Sequence, residues 1–379
     1  MKFVAKKRKL AIYCVDQDKR TTSTLGVYNS TKGLIHALAQ TTDPGIEIVL
    51  WLSEANIKDF KPERMPPWMD FRCLPGSYDR RYRRLCADHL LVHMLSMQDS
   101  VDTIHFPKGY LPFFPTRKVH TVVTMHDAIT RHYITNRLKT GNRLKLRYFD
   151  FIAAHSLRHA DAIITSSRFS ANDLAKVVHG CRPKTRIIPA FGMPMYPSAK
   201  KVKPGGYLVI GSKMPHKATA ETLHLLDAYA HTKHRKIAVT VTGITDWADI
   251  STDCLPSMLK IDFTGRVSNK KLAELMDKSR ALILLSTIEG FGLPVIEAYS
   301  RLTPVCYRNS SSLEEVLEGV PGGWDSKSKD TFCAALDSVI GMTQQEIKRI
   351  ANRLKERYNW NKITEQTIEV YHEVMNSRK

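Results

Sequence analysis

Residues 281–298 read ALILLSTIEGFGLPVIEA. The five apolar residues Ala281–Leu285 have the length and chemistry of a strand buried on both faces. A loop carrying Glu289, Gly290, Phe291, Gly292 and Leu293 follows. Pro294 then suits the first turn of a helix, where the N–H it lacks would have no partner. The expected helix is Pro294–Ser300, with Glu297 in its first turn. Glycines beside a helix N-terminus leave backbone N–H groups free to meet an anion or a sugar hydroxyl. Carboxylates on either side can accept from hydroxyls. Read from the residues alone, this is a site for a polyol joined to a phosphate. A plain strand–turn–helix with capping acids is the alternative.

On either side of this stretch, short apolar runs alternate with amphipathic ones. Upstream, strands are expected at Lys9–Val15, Glu47–Leu52, Val101–His105, Val119–Met125, Ala162–Ser166 and Thr185–Pro189. Helices are expected at Thr31–Gln40 and Ser170–Val178. Leu144, Tyr148, Phe151 and Ile152 fall at helical spacing and read as one apolar face. Residues 192–206 hold Pro194, Pro197 and Pro204 and end in Gly205–Gly206, with no apolar period. That pattern predicts a linker. Past it the alternation restarts, with strands at Tyr207–Ile210, Ala238–Thr242, Leu259–Phe263, Ala281–Leu285 and Thr303–Tyr307. Helices are expected between them at Thr219–Ala230 and Lys270–Asp277, and two more within Gln344–Met375.

Strands joined by helical crossovers make parallel sheets covered on both faces. The fold class is therefore α/β, with two Rossmann-like, doubly wound parallel-sheet domains facing across a cleft. The expected boundaries are 1–195, a linker at 196–206, 207–358, and a C-terminal helix, 359–379, returning to the N-terminal domain.

The 379 residues fit two domains at about 150 each. Apolar residues make up 43% and charged residues 25%, which excludes a disordered chain. Lys and Arg number 57 against 37 Asp and Glu, for a net charge of +20. Residues 1–200 hold 32 basic and 16 acidic side chains, so most of the excess lies in that half. Such a field favours a polyanionic partner. The seven cysteines show no C-x-x-C pair, which fits reduced thiols in a cytoplasm. The N-terminal apolar run is too short for a signal-peptide core, and no run approaches the ~18 residues of a membrane span. Membrane contact is expected to be peripheral.

The pair Glu289 and Glu297, with Gly-Phe-Gly-Leu-Pro between them, resembles the signature of family 4 of the retaining glycosyltransferases. The resemblance extends to HDA at His126–Ala128, ADAIITSSRFS at Ala160–Ser170, IGSKMPHK at Ile210–Lys217, FTGRV at Phe263–Val267, TPV at Thr303–Val305 and Tyr358-Asn359-Trp360. It implies the GT-B fold, with donor on the C-terminal domain and acceptor on the N-terminal one. It also implies transfer of a sugar, a hexose such as mannose, from a nucleoside-diphosphate donor with retention. No cofactor or bound metal is implied. By the same resemblance Glu289 holds donor-sugar hydroxyls, and Phe291, Gly292 and Leu293 offer backbone N–H groups to sugar and diphosphate. Glu297 accepts from the ribose. Lys217 neutralises the leaving diphosphate, Val267 meets the base through its backbone, and His126 lies near the reacting centre.

The departures bear on donor binding. Lys213 and His216 stand where an Arg usually precedes the lysine, and His lacks the permanent, bidentate charge of a guanidinium. His216 is therefore counted with the donor-binding residues. Only Gly26 represents the usual pair of glycines in the first loop. Leu302 replaces a common glycine.

Asp16-Gln17-Asp18 mimics a metal-binding Asp-x-Asp but is read as non-metal, and His231-x-x-His234 as a solvated face. Basic clusters at Arg80, Arg81, Arg83 and Arg84, with Tyr78 and Tyr82, and at Arg131, Arg137, Lys139, Arg143, Lys145 and Arg147 suit an anionic membrane surface or a lipid-diphosphate acceptor. The expected partners are a nucleotide-sugar donor, a glycan or lipid-linked acceptor and the inner face of a membrane, and not nucleic acid. The rival reading is a non-catalytic scaffold that binds nucleic acid or a phosphorylated polymer through its basic half.

Overall fold

The computed structural model describes residues 7–20, 25–78, 83, 86–113, 119–136, 143–192 and 205–377. The expected linker, apart from Gly205 and Gly206, lies outside these residues. So do Arg80, Arg81, Tyr82 and Arg84 of the first basic cluster and Arg137 and Lys139 of the second. The chain forms two compact units. One takes in Met1–Ile134, Arg143–Met193 and Asn359–Lys379, and the other Pro194–Tyr358 together with Thr135–Asn142.

Among the described residues the first unit carries a seven-stranded sheet. Its strands are β1 (Lys9–Tyr13), β2 (Glu47–Ser53), β3 (Met69–Leu74), β4 (Thr103–Phe106), β5 (His120–Thr124), β6 (Ala162–Thr165) and β7 (Thr185–Ile187). Their order is β3-β2-β1-β4-β5-β6-β7, and every pairing is parallel. The period of two along β1 feeds two cores. Leu10 and Ile12 join Ile48 and Leu50 on one face, while Ala11 and Tyr13 join Val49 and Trp51 on the other. Both faces are buried, which explains why these strands read as continuous apolar runs.

The second unit repeats the design with β8 (Tyr207–Ile210), β9 (Ile237–Thr242), β10 (Leu259–Gly265), β11 (Ala281–Leu284), β12 (Val305–Arg308) and β13 (Gly323–Trp324), ordered β10-β9-β8-β11-β12-β13 and all parallel. The strand order reverses between β1 and β4 in one sheet and between β8 and β11 in the other. Ligands of doubly wound sheets bind outside the carboxyl ends of the strands at such a point.

The two expected C-terminal helices are Gln344–Arg357 and Trp360–Asn376. They part at Asn359, whose side chain accepts from Asn361 N and Lys362 N and caps the second. That last helix lays Ile363, Val370, Tyr371 and Val374 into the same core as Ile35 and Leu38 of the helix Leu25–Ala39.

Some sequence expectations need correction. The first helix begins at Leu25, not Thr31, so Gly26 sits in a helical first turn rather than a loop. The helix near the glutamate pair begins at Leu293, which puts Glu297 in its second turn. The strand β3 was not expected, because its mixture of buried and exposed positions breaks the apolar run. Leu302 takes the place of a common glycine by adopting φ +58° itself. The helical spacing of Leu144, Tyr148, Phe151 and Ile152 is realised in the helix Arg143–His159. Its predicted apolar face points outward, with Leu144, Tyr148 and Phe151 exposed and only Ile152 buried. The core instead takes Ala154, Ser156 and Leu157 from the opposite side.

Candidate functional site

In the second unit, two loops meet at the switch point between β8 and β11. The loop after β8 begins at Gly211, where a Cβ would lie 2.9 Å from Thr219 and about 3.1 Å from Ile244 and Val241. Ser212 N donates to the Thr219 hydroxyl, which donates back to Ser212 O, each at 3.0 Å. A short 3-10 turn, Pro215–Lys217, ends at Ala218, which holds φ +48°. A non-glycine residue in that region is strained and persists only where its surroundings fix it. Lys217 is therefore held on a rigid corner.

The loop after β11 is tied to that corner. Thr287 N donates to His216 O at 2.8 Å. Glu289 N donates to the Ser311 hydroxyl at 3.0 Å. The ammonium of Lys217 donates to Oε1 of Glu289 at 2.7 Å, with the Lys side chain 24% and the Glu side chain 10% exposed. Burial pushes the Glu289 carboxyl up. The Lys217 charge and hydrogen bond, helped by His216, outweigh it and hold the carboxyl below its usual range. The pair is thus ionised, its two members side by side at the mouth of the sheet.

Phe291 is buried and meets the Tyr358 ring edge-on at 5.2 Å. The ring anchors the loop, while its backbone leads into the helix Leu293–Ser300. The first N–H groups of a helix have no partner within it, so this backbone can serve an anion or a hydroxyl. Gly292 holds φ +88°, and a Cβ there would lie 2.4 Å from Cδ2 of the buried Leu313. Gly292→Ala is expected to destabilise the second unit by about 1–3 kcal/mol, through left-handed strain and overpacking. An unchanged thermal midpoint would show that the loop adopts another conformation at no cost.

Glu297 is half-buried on that helix, and Val267 is half-buried between β10 and the helix Asn269–Lys278. Lys213 is engaged elsewhere, its ammonium 2.6 Å from Asp249. His216, next to Lys217, is buried. The structure thus brings His216, Lys217 and Glu289 together and holds Lys213 on another carboxylate.

In the first unit, His126 follows β5. Its ring donates to the carbonyl of Pro107, and its buried Nε2 has no hydrogen-bond partner among the described residues. Burial pushes its pKa down to about 4, against the opposing pull of that carbonyl. It is a neutral imidazole with an unused acceptor nitrogen. It lines a cavity of about 30 Å³ together with His105, Thr124, Ser166 and Thr31, which has room for a water or a hydroxyl. Gly26 is exposed, and among the described residues nothing lies within 4 Å of an added Cβ.

Sequence reasoning missed three participants. His105, fully buried on β4, has its Nδ1 2.8 Å from the Tyr371 hydroxyl and its Nε2 2.7 Å from the Thr124 hydroxyl. Lys108 donates to both the carbonyl and the carboxylate of Asp16, each at 2.9 Å. Ser311 supports Glu289. A single His, Lys or Ser outside a motif carries no signal in one sequence. Asp18, for its part, binds Arg20 and the Ser77 hydroxyl. Among the described residues no group of three or more His, Cys, Asp or Glu side chains is placed to hold a metal ion.

Residues 199–356 match the family model described as glycosyl transferases group 1. The O-antigen chain mannosyltransferase B of Escherichia coli is 26% identical over 323 residues, covering 78% of this chain and 82% of that protein. The O-antigen chain mannosyltransferase RfbU of Salmonella typhimurium is 26% identical over 208 residues, 52% of this chain and 56% of that protein. Among solved structures, the sucrose-phosphate synthase of Thermosynechococcus elongatus superposes with a TM-score of 0.66 at 16% identity, over 97% of this chain and 99% of that one. An Anabaena protein, HepE, solved with UDP and glucose, gives 0.65 at 14% identity, over 97% and 100%. The fold is GT-B.

Proposed function

We propose that this chain is a glycosyltransferase of group 1 that moves a hexose, mannose, from a nucleoside-diphosphate sugar to a glycan or lipid-linked acceptor, with retention at the anomeric carbon. The setting is surface-polysaccharide synthesis in the cytoplasm, at the inner face of the membrane. The observation that carries the reading is the Lys217–Glu289 ion pair at the switch point of the second sheet. The mannose assignment draws on the activities named for the two bacterial relatives.

In this reading the donor enters between the two charges. Lys217 turns from Glu289 to the diphosphate, where negative charge grows as the sugar–phosphate bond breaks. Stabilising that charge is the largest catalytic term such a site can supply. Glu289, released, accepts hydrogen bonds from the sugar hydroxyls. Backbone N–H groups of Phe291, Gly292 and Leu293 meet the sugar and diphosphate, Glu297 the ribose and Val267 the base. His216 adds positive charge beside the diphosphate when protonated. In the first unit, the unused nitrogen of His126 accepts a hydrogen bond from a hydroxyl bound there. The acceptor hydroxyl attacks from the face that the diphosphate leaves, and the departing phosphate oxygen takes its proton. No metal is required, because Lys217 and the helix N-terminus neutralise the diphosphate. Asp16 and Asp18 are already engaged by Lys108 and Arg20.

A thermal-shift panel of GDP, UDP, ADP and dTDP in the presence of a chelator tests this. A ligand at a hundred times its dissociation constant stabilises by about 2.7 kcal/mol. One nucleotide, GDP for a mannose donor, should raise the midpoint. A shift seen only after manganese is added would refute the metal-free part. No shift under either condition would refute the donor site.

A further inference from the structure

Nine large apolar side chains are exposed among the described residues, and six lie on two neighbouring segments of the first unit. Leu90, Met94 and Met97 are 67%, 41% and 74% exposed on the π-helical turn Ala87–Leu91 and the helix Val92–Gln98 that continues it. Leu144, Tyr148 and Phe151 are 78%, 44% and 59% exposed on the helix Arg143–His159. The three residues of that second helix, at i, i+4 and i+7, form a stripe on its outer face.

Phe113 joins the two segments. Its ring stacks on His89 at 5.2 Å and lies 5.9 Å from Phe151 and 5.2 Å from His155. The two apolar patches are therefore neighbours on one surface. Arg143, Lys145, Arg147 and Arg158 are exposed on the same helix. Its single acid, Asp150, is 2.9 Å from Arg131. A helix with an outward apolar stripe and basic neighbours has the chemistry of an interfacial helix, its apolar side chains entering the acyl boundary and its cations meeting lipid phosphates. No helix among the described residues is long and apolar enough to cross a membrane, so contact through them would be peripheral.

We propose that the surface formed by Leu90, Met94 and Met97 together with Leu144, Tyr148 and Phe151 docks onto an anionic phospholipid bilayer. The proposal deepens the membrane part of the reading above by naming the face that meets the lipid. It stands or falls separately from donor binding. Charge favours the lipid over a second copy of the chain, because two such faces would bring like-charged basic side chains together.

The test is co-sedimentation of the full chain with phosphatidylcholine vesicles, with and without phosphatidylglycerol. The wild type should pellet with the anionic vesicles and release in high salt. Leu144→Glu with Phe151→Glu should weaken that binding by at least about tenfold. The thermal midpoint and the nucleotide-induced shift of the variant should stay at the wild-type values, since both side chains are already exposed. Equal pelleting of variant and wild type would overturn the proposal. So would equal binding to neutral vesicles. A soluble dimer that the variant dissociates, with no vesicle binding by the wild type, would assign the face to a second copy instead.

Discussion

Lys217→Met should lower sugar transfer by roughly a hundred- to a thousandfold, the cost of removing one preorganised group that stabilises developing charge. The effect should fall on kcat rather than on KM, because the leaving group gains its charge only as the bond breaks. The substitution also strands the Glu289 carboxylate, which is buried and has Lys217 at 2.7 Å. Breaking a buried pair by removing one partner costs about 3–5 kcal/mol. This pair is partly wetted on the lysine side, so the loss should lie at or below the lower end of that range. The double variant Lys217→Met with Glu289→Gln separates the two consequences. It should regain most of the lost stability, since no charge is left unpaired, and none of the transfer. Single-variant transfer within tenfold of wild type would remove Lys217 from the reaction.

The first unit should lose at least about 4 kcal/mol of stability between pH 7 and pH 5 through His105 and His126, with His89 and His155, also lowered by burial, adding to the loss. His105 and His126 are buried as neutral rings, with pKa values pushed down to about 3 and about 4 by burial; the neighbouring His126 adds to the shift at His105. In the unfolded chain each titrates near 6.5. A histidine lowered in this way favours the folded state while both states are neutral, above about 6.5. As pH falls below that value the unfolded chain takes up protons first and folded stability is lost. Each ring then contributes about 2 kcal/mol by pH 5, or roughly thirtyfold in the folding equilibrium. Carboxylates held below their usual range, such as Glu289, weaken the fold only at lower pH and do not confuse this window. Urea midpoints of the first unit's transition at pH 7, 6 and 5 would show the slope. His105→Gln should remove about 2 kcal/mol of it, and a flat profile would mean that water reaches both rings.

Much of the fold was legible because burial on both faces writes a strand as an unbroken apolar run. KLAIY, AIIT and ALIL are examples, and they were placed within one or two residues. The edge strand β3 was not legible, because only Met69 is buried and the run breaks at Asp70 and Arg72. The helix Arg143–His159 was legible as a helix, but the direction of its apolar stripe was not. Periodicity reports that apolar residues share a face, and says nothing of which way the face points.

For the site, the glutamate pair and the lysine were legible as motifs, with local punctuation in the glycines and in Pro294. Their sequence alone determined the chemistry on offer: a carboxylate, a cation and a helix start bearing free N–H groups. Only the tertiary structure decided that Lys217 and Glu289, 72 residues apart, are an ion pair. Strand order placed β8 beside β11, and no local signal carries strand order. The same holds for His105, which meets Tyr371 across 266 residues because the last helix packs on the first sheet. A sequence fixes each residue's capabilities and its local geometry. Which capabilities meet depends on how the elements pack, through burial contacts between segments far apart in the chain.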